Sequence, residues 1–110
     1  MVEASATGTG PPRTLEEAQA ALRALRPWLE RDYGVVSVWI FGSFARGEQD
    51  EESDLDLLVE FDPDSKLSLF AFVGLQQELS DRLGIRVDLG EPRSIKPRLR
   101  DRILHEAVPL

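Results

Sequence analysis

Two aspartates one residue apart, Asp54 and Asp56, open the apolar stretch Asp54-Leu55-Asp56-Leu57-Leu58-Val59-Glu60-Phe61. Side chains two apart on a strand point the same way, so the pair projects from one face, about 7 Å apart along the chain. Carboxylates that close repel, and a buried unpaired one is costly, so something cationic should face them. A hard divalent ion such as Mg²⁺ suits the pair, because it accepts one or two carboxylates together with phosphate oxygens and water. Upstream, Gly42-Ser43 ends a second apolar run, Val35 to Phe41. A strand end that passes into a helical turn offers free backbone N–H groups to an anion, and glycine lets the backbone come close. The Ser43 hydroxyl adds a donor for a phosphate oxygen. A third acid, Asp88, lies in Ile85-Arg86-Val87-Asp88-Leu89. If that stretch lies beside Asp56, three carboxylates converge, the set that two-metal phosphoryl transfer requires.

The elements that must position these residues can be read from punctuation and periodicity. Thr14-x-x-Glu17 matches a capping box, and Leu15, Ala18, Leu22, Leu25 and Leu29 recur on one helical face. Pro27 should kink or break that helix near Arg23 to Arg26, and Gly34 should end it. Val35 to Phe41 reads as a buried strand, Asp54 to Phe61 as a second and Ile85 to Leu89 as a short third. Ser68 would cap a helix from Leu69 to Leu83, with Leu69, Phe72, Val73, Leu75, Leu79 and Leu83 available for burial. Ser94 would cap a last helix, with Pro97 in its first turn and Ile95, Leu99, Ile103 and Ala107 on one side. The first two strands are joined by a short connection, so antiparallel pairing is expected and Ser43 should come near Asp54. Trp28 and Trp39 read as core, and His105 has no visible partner.

Composition narrows the classes. The chain of 110 residues, 42% hydrophobic and 30% charged, suits one domain with a modest core. Residues 1–13 are small, polar and rich in Gly and Pro, and are expected to be a disordered tail before a single domain at 14–110. Nothing resembles a signal peptide or a membrane span, so a cytoplasmic protein is expected. The absence of cysteine excludes disulfides and thiolate metal sites. A net charge of −7 argues against non-specific nucleic-acid binding. The charge is uneven: Glu48 to Asp56 holds six acids and no base, whereas Arg93, Lys96, Arg98, Arg100 and Arg102 crowd the C-terminal part. That basic run reads as a solvated helix face, as a screen for the acids, or as a surface that docks a partner or guides a triphosphate.

Gly42-Ser43, ten residues, then Asp54-x-Asp56 resembles the signature of the DNA polymerase β-like nucleotidyltransferases. Gly42-Ser43-Phe44-Ala45-Arg46-Gly47 with Ser53-Asp54-Leu55-Asp56-Leu57 is similar to the minimal nucleotidyltransferases of that superfamily, and Asp88 falls where they have a third carboxylate. The resemblance extends over about residues 14–108 in element order. It implies an α/β fold with a small mixed sheet of three main strands in order 1-2-3, packed with helices. It implies transfer of a nucleoside monophosphate, AMP from ATP, to an acceptor hydroxyl or phosphate, with Mg²⁺ as two ions. It makes Asp54, Asp56 and Asp88 metal ligands and catalytic residues, and assigns Gly42, Ser43 and Arg46 to the nucleotide. Many members pair with an all-helical HEPN protein as a toxin–antitoxin couple, and some inactivate it by adenylylating a tyrosine.

Each assignment has a plainer counterpart. Gly42 and Ser43 would serve equally as a turn and helix cap, Asp88 would pair with Arg86 or the last helix, and Arg46 would be a surface arginine. Three function classes follow. One is the transfer enzyme, one a non-catalytic antitoxin that neutralises a HEPN partner by contact, and one an enzyme acting on a small molecule such as an aminoglycoside. The intact acid set favours the first over the second. The third needs an additional domain to hold its acceptor, and residues 14–110 are used up by the core.

Overall fold

The computed structural model describes residues 10–110, so residues 1–9 of the expected tail lie outside it. The elements run α1 (Leu15–Tyr33), β1 (Val35–Phe41), α2 (Ser43–Arg46), β2 (Leu55–Phe61), α3 (Leu69–Leu83) and β3 (Val87–Gly90). A 3-10 turn at Pro92–Ser94, α4 (Pro97–Glu106) and β4 (Val108–Pro109) follow. The sheet is mixed, in order β3-β2-β1-β4, with β1 antiparallel to β2 and β4 and β2 parallel to β3. The three main strands adjoin as expected. The fourth is an addition: Val108 and Pro109 cover the free edge of β1 opposite Ile40 and Trp39, a pairing too short to leave a periodic pattern.

Local chemistry sets the element ends. The Glu17 N–H donates to Thr14 Oγ1 at 3.1 Å, and the Arg13 N–H donates to Glu17 Oε1 at 2.7 Å, so the capping box forms one residue wider than usual. The Ala71 N–H donates to Ser68 Oγ at 3.1 Å and starts α3. Gly34 and Gly84 end α1 and α3 at φ of 69° and 71°, the left-handed region where a side chain is disfavoured. Two expectations need correcting. Pro27 lies inside an uninterrupted α1. It removes one N–H, but Pro27 and Arg23 are both exposed, so the freed Arg23 carbonyl faces water. Ser94 does not cap α4 but belongs to the 3-10 turn; α4 begins at Pro97, whose fixed φ favours the first helical position.

Alternation along the strands separates two faces. On the first, Val35, Val38 and Ile40 of β1, Leu55, Leu57 and Val59 of β2 and Val87 and Leu89 of β3 pack against Ala18, Leu22 and Leu29 of α1 and Leu75, Leu79 and Leu83 of α3. Residues of opposite parity, Trp39, Phe41, Asp56, Leu58 and Asp88, point to the second face. There Leu58 is buried over Gly90, whose missing side chain leaves room for it. Leu69 and Val73 were expected in the core, but they are 77% and 54% exposed, because the buried stripe of α3 begins only at Phe72 and Leu75. Trp28 is partly buried as expected, with the Arg82 guanidinium 4.1 Å from its ring centre.

Candidate active site

The second face gathers the residues singled out for their chemistry. Cross-strand register sets Phe41 beside Asp56 on one side and Asp88 beside Asp56 on the other. Asp56 is therefore central, with a carboxylate on the neighbouring strand and Asp54 two residues back. Asp54 stands one residue before β2, where the Leu55 N–H donates to the Arg86 carbonyl at 2.8 Å and ties the start of β2 to β3.

Gly42 meets Asp56 directly. Its backbone turns at φ 76° and ψ −149°, and a Cβ placed there would overlap the Asp56 carboxylate. Only glycine satisfies both demands, so the chain reversal after β1 rests against the acid. Ser43 then begins α2, a single turn in which the Arg46 N–H reaches back to the Gly42 carbonyl at 3.2 Å. The N–H groups of Ser43, Phe44 and Ala45 precede the first such bond and are open to an acceptor. Phe44 is buried in the core and anchors the turn.

The electrostatics follow from this crowding. The Asp56 carboxyl is pushed above its ordinary value, first by burial, then by the charges of Asp88 and Asp54, with Arg46 pulling weakly the other way. Arg86 sits 3.8 Å from Asp54, a long contact with Arg86 81% exposed, so it offsets little of that negative field. The plainer reading of Asp88, a pair with Arg86 or with a basic residue of the last helix, does not form among the described residues; cross-strand proximity gives Arg86 to Asp54 instead. Among the described residues Asp88 makes no ion pair. Arg46 is engaged by Glu48 at 2.9 Å, which raises its pKa further, and its side chain is half-exposed.

The donor set fits a hard cation shared with a ligand. Among the described residues, no three acidic, histidine or cysteine side chains are drawn together tightly enough to enclose an ion unaided. Mg²⁺ seldom uses such a cage; it is bound through one or two carboxylates and completed by phosphate oxygens and water. Asp54, Asp56 and Asp88 are the residues that could hold it, and the uncompensated field at Asp56 is what a divalent ion would neutralise. Neither of two open clefts, of about 890 and 710 Å³, is lined by Asp56, Asp88, Gly42 or Ser43.

Elsewhere the charge pattern resolves into separate local roles. Glu48, Asp50, Glu51 and Glu52 of the α2–β2 loop are exposed, and Asp50 accepts from the Glu52 N–H at 2.9 Å and from Ser53 Oγ at 3.2 Å, which shapes the loop. In the basic run, Arg93 pairs with Glu91 and Arg102 with Glu106. Arg100 donates to the carbonyls of Pro92, Arg93 and Ile95 at 2.9, 3.4 and 3.2 Å and clamps the 3-10 turn to α4. Sequence reasoning missed that clamp. No periodicity marks it, because the acceptors are backbone atoms of an irregular turn.

The family model of the nucleotidyltransferase domain matches residues 22–110. A protein adenylyltransferase, MntA, from Thermococcus cleftensis is 40% identical over 95 residues, covering 86% of this chain and 94% of that protein. Among solved structures, a chain assigned as a minimal nucleotidyltransferase superposes with a TM-score of 0.76 at 42% identity, over 92% of this chain and all of that one. A chain from a toxin–antitoxin complex with AMP-PNP superposes at 0.64 with 27% identity, over 78% of this chain and 69% of that one. With the domain matched over most of its length and its sheet carrying the acids in register, this chain belongs to the nucleotidyltransferase domain family and is an enzyme of that type with a polymerase β-like fold.

Proposed function

We propose that this enzyme transfers the adenylyl group of Mg²⁺–ATP to a hydroxyl on a HEPN-type partner protein. The observation that carries this reading is the juxtaposition on one face of Asp56, Asp88 and the Gly42 reversal. The adenylyltransferase name of the Thermococcus cleftensis relative and the AMP-PNP in the toxin–antitoxin structure support it.

Each residue has a role in that reaction. The turn at Gly42 and Ser43 presents N–H groups and a hydroxyl to the triphosphate and fixes its place beside Asp56. Asp54, Asp56 and Asp88 would hold Mg²⁺, which would supply charge neutralisation at the triphosphate and activation of the attacking oxygen. Asp88, exposed and without a protein counter-ion among the described residues, receives the proton of the acceptor hydroxyl. The acceptor oxygen bonds to the α-phosphorus, the bond from that phosphorus to the bridging oxygen breaks, and pyrophosphate leaves. The exposed Asp88 end of the acid cluster calls for a protein surface to complete the acceptor side. Lys96 and Arg98, exposed and unpaired among the described residues, are the cations left in the basic run to meet an acidic one.

Incubation with ATP labelled at the α-phosphate, Mg²⁺ and a HEPN partner tests the proposal. Label is expected on the partner, and none with Asp56→Asn. A partner neutralised equally by both proteins, with no label on it, would establish the contact-only alternative.

A further inference from the structure

The loop between α2 and β2 spaces the two halves of the site. At one end the Glu48 N–H donates to the Ser43 carbonyl at 2.9 Å. At the other, the Asp50 N–H donates to Ser53 Oγ at 2.9 Å and the Ser53 N–H to the Asp50 carbonyl at 3.2 Å, and Asp54 follows directly, outside the β2 ladder. Gln49 lies between these two closures. Its Nε2 donates to the Arg13 carbonyl at 3.0 Å. Among the described residues this is the one hydrogen bond that ties residues 47–53 to a distant part of the chain. Arg13 belongs to a short strap that precedes α1. Pro12 of the strap is buried, and Pro11 runs beside the α3–β3 turn, 3.9 Å from where a Cβ on Gly84 would stand. Strap, loop and turn together line the larger of the two clefts.

The tether carries a cost that the fold does not explain. Gln49 Oε1 is shut away from water and makes no hydrogen bond among the described residues. A buried amide oxygen without a partner is unfavourable. Methionine, linear and apolar, would fill the same space without that cost. We propose that Gln49 is a positioning residue: by pinning the α2–β2 loop to the strap at Arg13, it fixes how the Ser43 turn stands to Asp54. The inference rests on the Mg²⁺–ATP reading above. Gln49 makes no hydrogen bond to the acids or to the Gly42–Ser43 turn, so it acts through the backbone that joins them. Residues of this kind, one step behind the ligands, set how well a metal and its phosphates are held.

Gln49→Met removes the donor and the orphaned oxygen together. Calorimetric titration with Mg²⁺–ATP should show affinity lowered about tenfold, while thermal unfolding shows a melting temperature unchanged or raised. Amide hydrogen exchange should quicken at Glu48 and Ser53, whose N–H groups close the two ends of the loop. Gln77→Met, at an exposed glutamine on α3 that bonds Asp81, should leave affinity and exchange at both amides as in the wild type. A melting temperature that falls together with affinity gives Gln49 a merely structural role and overturns the inference. So does a wild type that binds Mg²⁺–ATP and a Gln49→Met variant that binds it equally well. A wild type that does not bind Mg²⁺–ATP overturns the reading beneath the inference as well as the inference itself.

Discussion

On β2, Leu55, Leu57 and Val59 are shut away from water under α1 and α3, while Asp56, between two of them, faces the other way beside Asp88 and Gly42. The two sheet faces differ in what they contribute although the same strand supplies residues to both. The helix-covered face stabilises the fold through apolar burial. The acid-bearing face does the opposite, because burial and like charge make Asp56 reluctant to ionise. Strand alternation is what allows this division: neighbours in sequence belong to different environments, so a site that strains the fold can sit one residue from the core that holds it.

The sharpest way to break the comparison is to substitute those neighbours. Asp56→Asn is expected to abolish transfer while leaving thermal stability unchanged or raised, since it relieves a crowded carboxylate. Leu57→Ala should cost about 2–5 kcal/mol of stability by opening a cavity. Denaturant unfolding and a transfer assay on both variants check this. A destabilised Asp56→Asn would mean that the acid contributes to the fold. Gly42→Ala joins the two faces' demands, with a strained φ and a Cβ that displaces the Asp56 carboxylate. It should lose about 1–3 kcal/mol of stability and most of its activity, as read by the same two measurements.

Ser43→Ala should be milder. One hydrogen bond to a charged oxygen is worth about 1.5–3 kcal/mol, or roughly ten- to a hundredfold in transfer rate. A loss as complete as that of Asp56→Asn in steady-state kinetics would give Ser43 a different role. The smallest effect is on pH dependence. The folded Asp56 holds its proton at pH values where the unfolded chain, with the ordinary aspartate value of 3.8, has released it. Its contribution to stability should therefore grow as pH falls through the raised folded value and level off below 3.8. Unfolding curves in that window, compared with Asp56→Asn, isolate the contribution. A wild type and a variant with parallel pH profiles would contradict it.

What was legible in the sequence was whatever depends on neighbours in the chain. Thr14, Ser68, Gly34 and Gly84 mark helix ends by side-chain caps and a left-handed turn, and the structure uses all four in that way. The strand pattern also placed the acids, since parity alone puts Asp56 and Asp88 on one face once β2 and β3 adjoin. What was not legible depends on contacts across the fold. Val108 and Pro109 become a strand only because β1 has a free edge. Arg86 reaches Asp54 rather than Asp88 because register outweighs nearness in sequence. Arg100 looked like one more surface cation until the carbonyls of the 3-10 turn converged on it. Leu69 and Val73 fit the helical pattern of a core yet lie outside it, a sign that periodicity identifies an apolar face without saying what covers it.

The central claim, that the acid-bearing face is a shared cation and triphosphate site, is tested most directly by calorimetric titration with Mg²⁺–ATP of the wild type and the Asp54→Asn/Asp56→Asn double variant. The account expects saturable binding to the wild type and its loss in a double variant that remains folded. Equal affinity in the two proteins would contradict it.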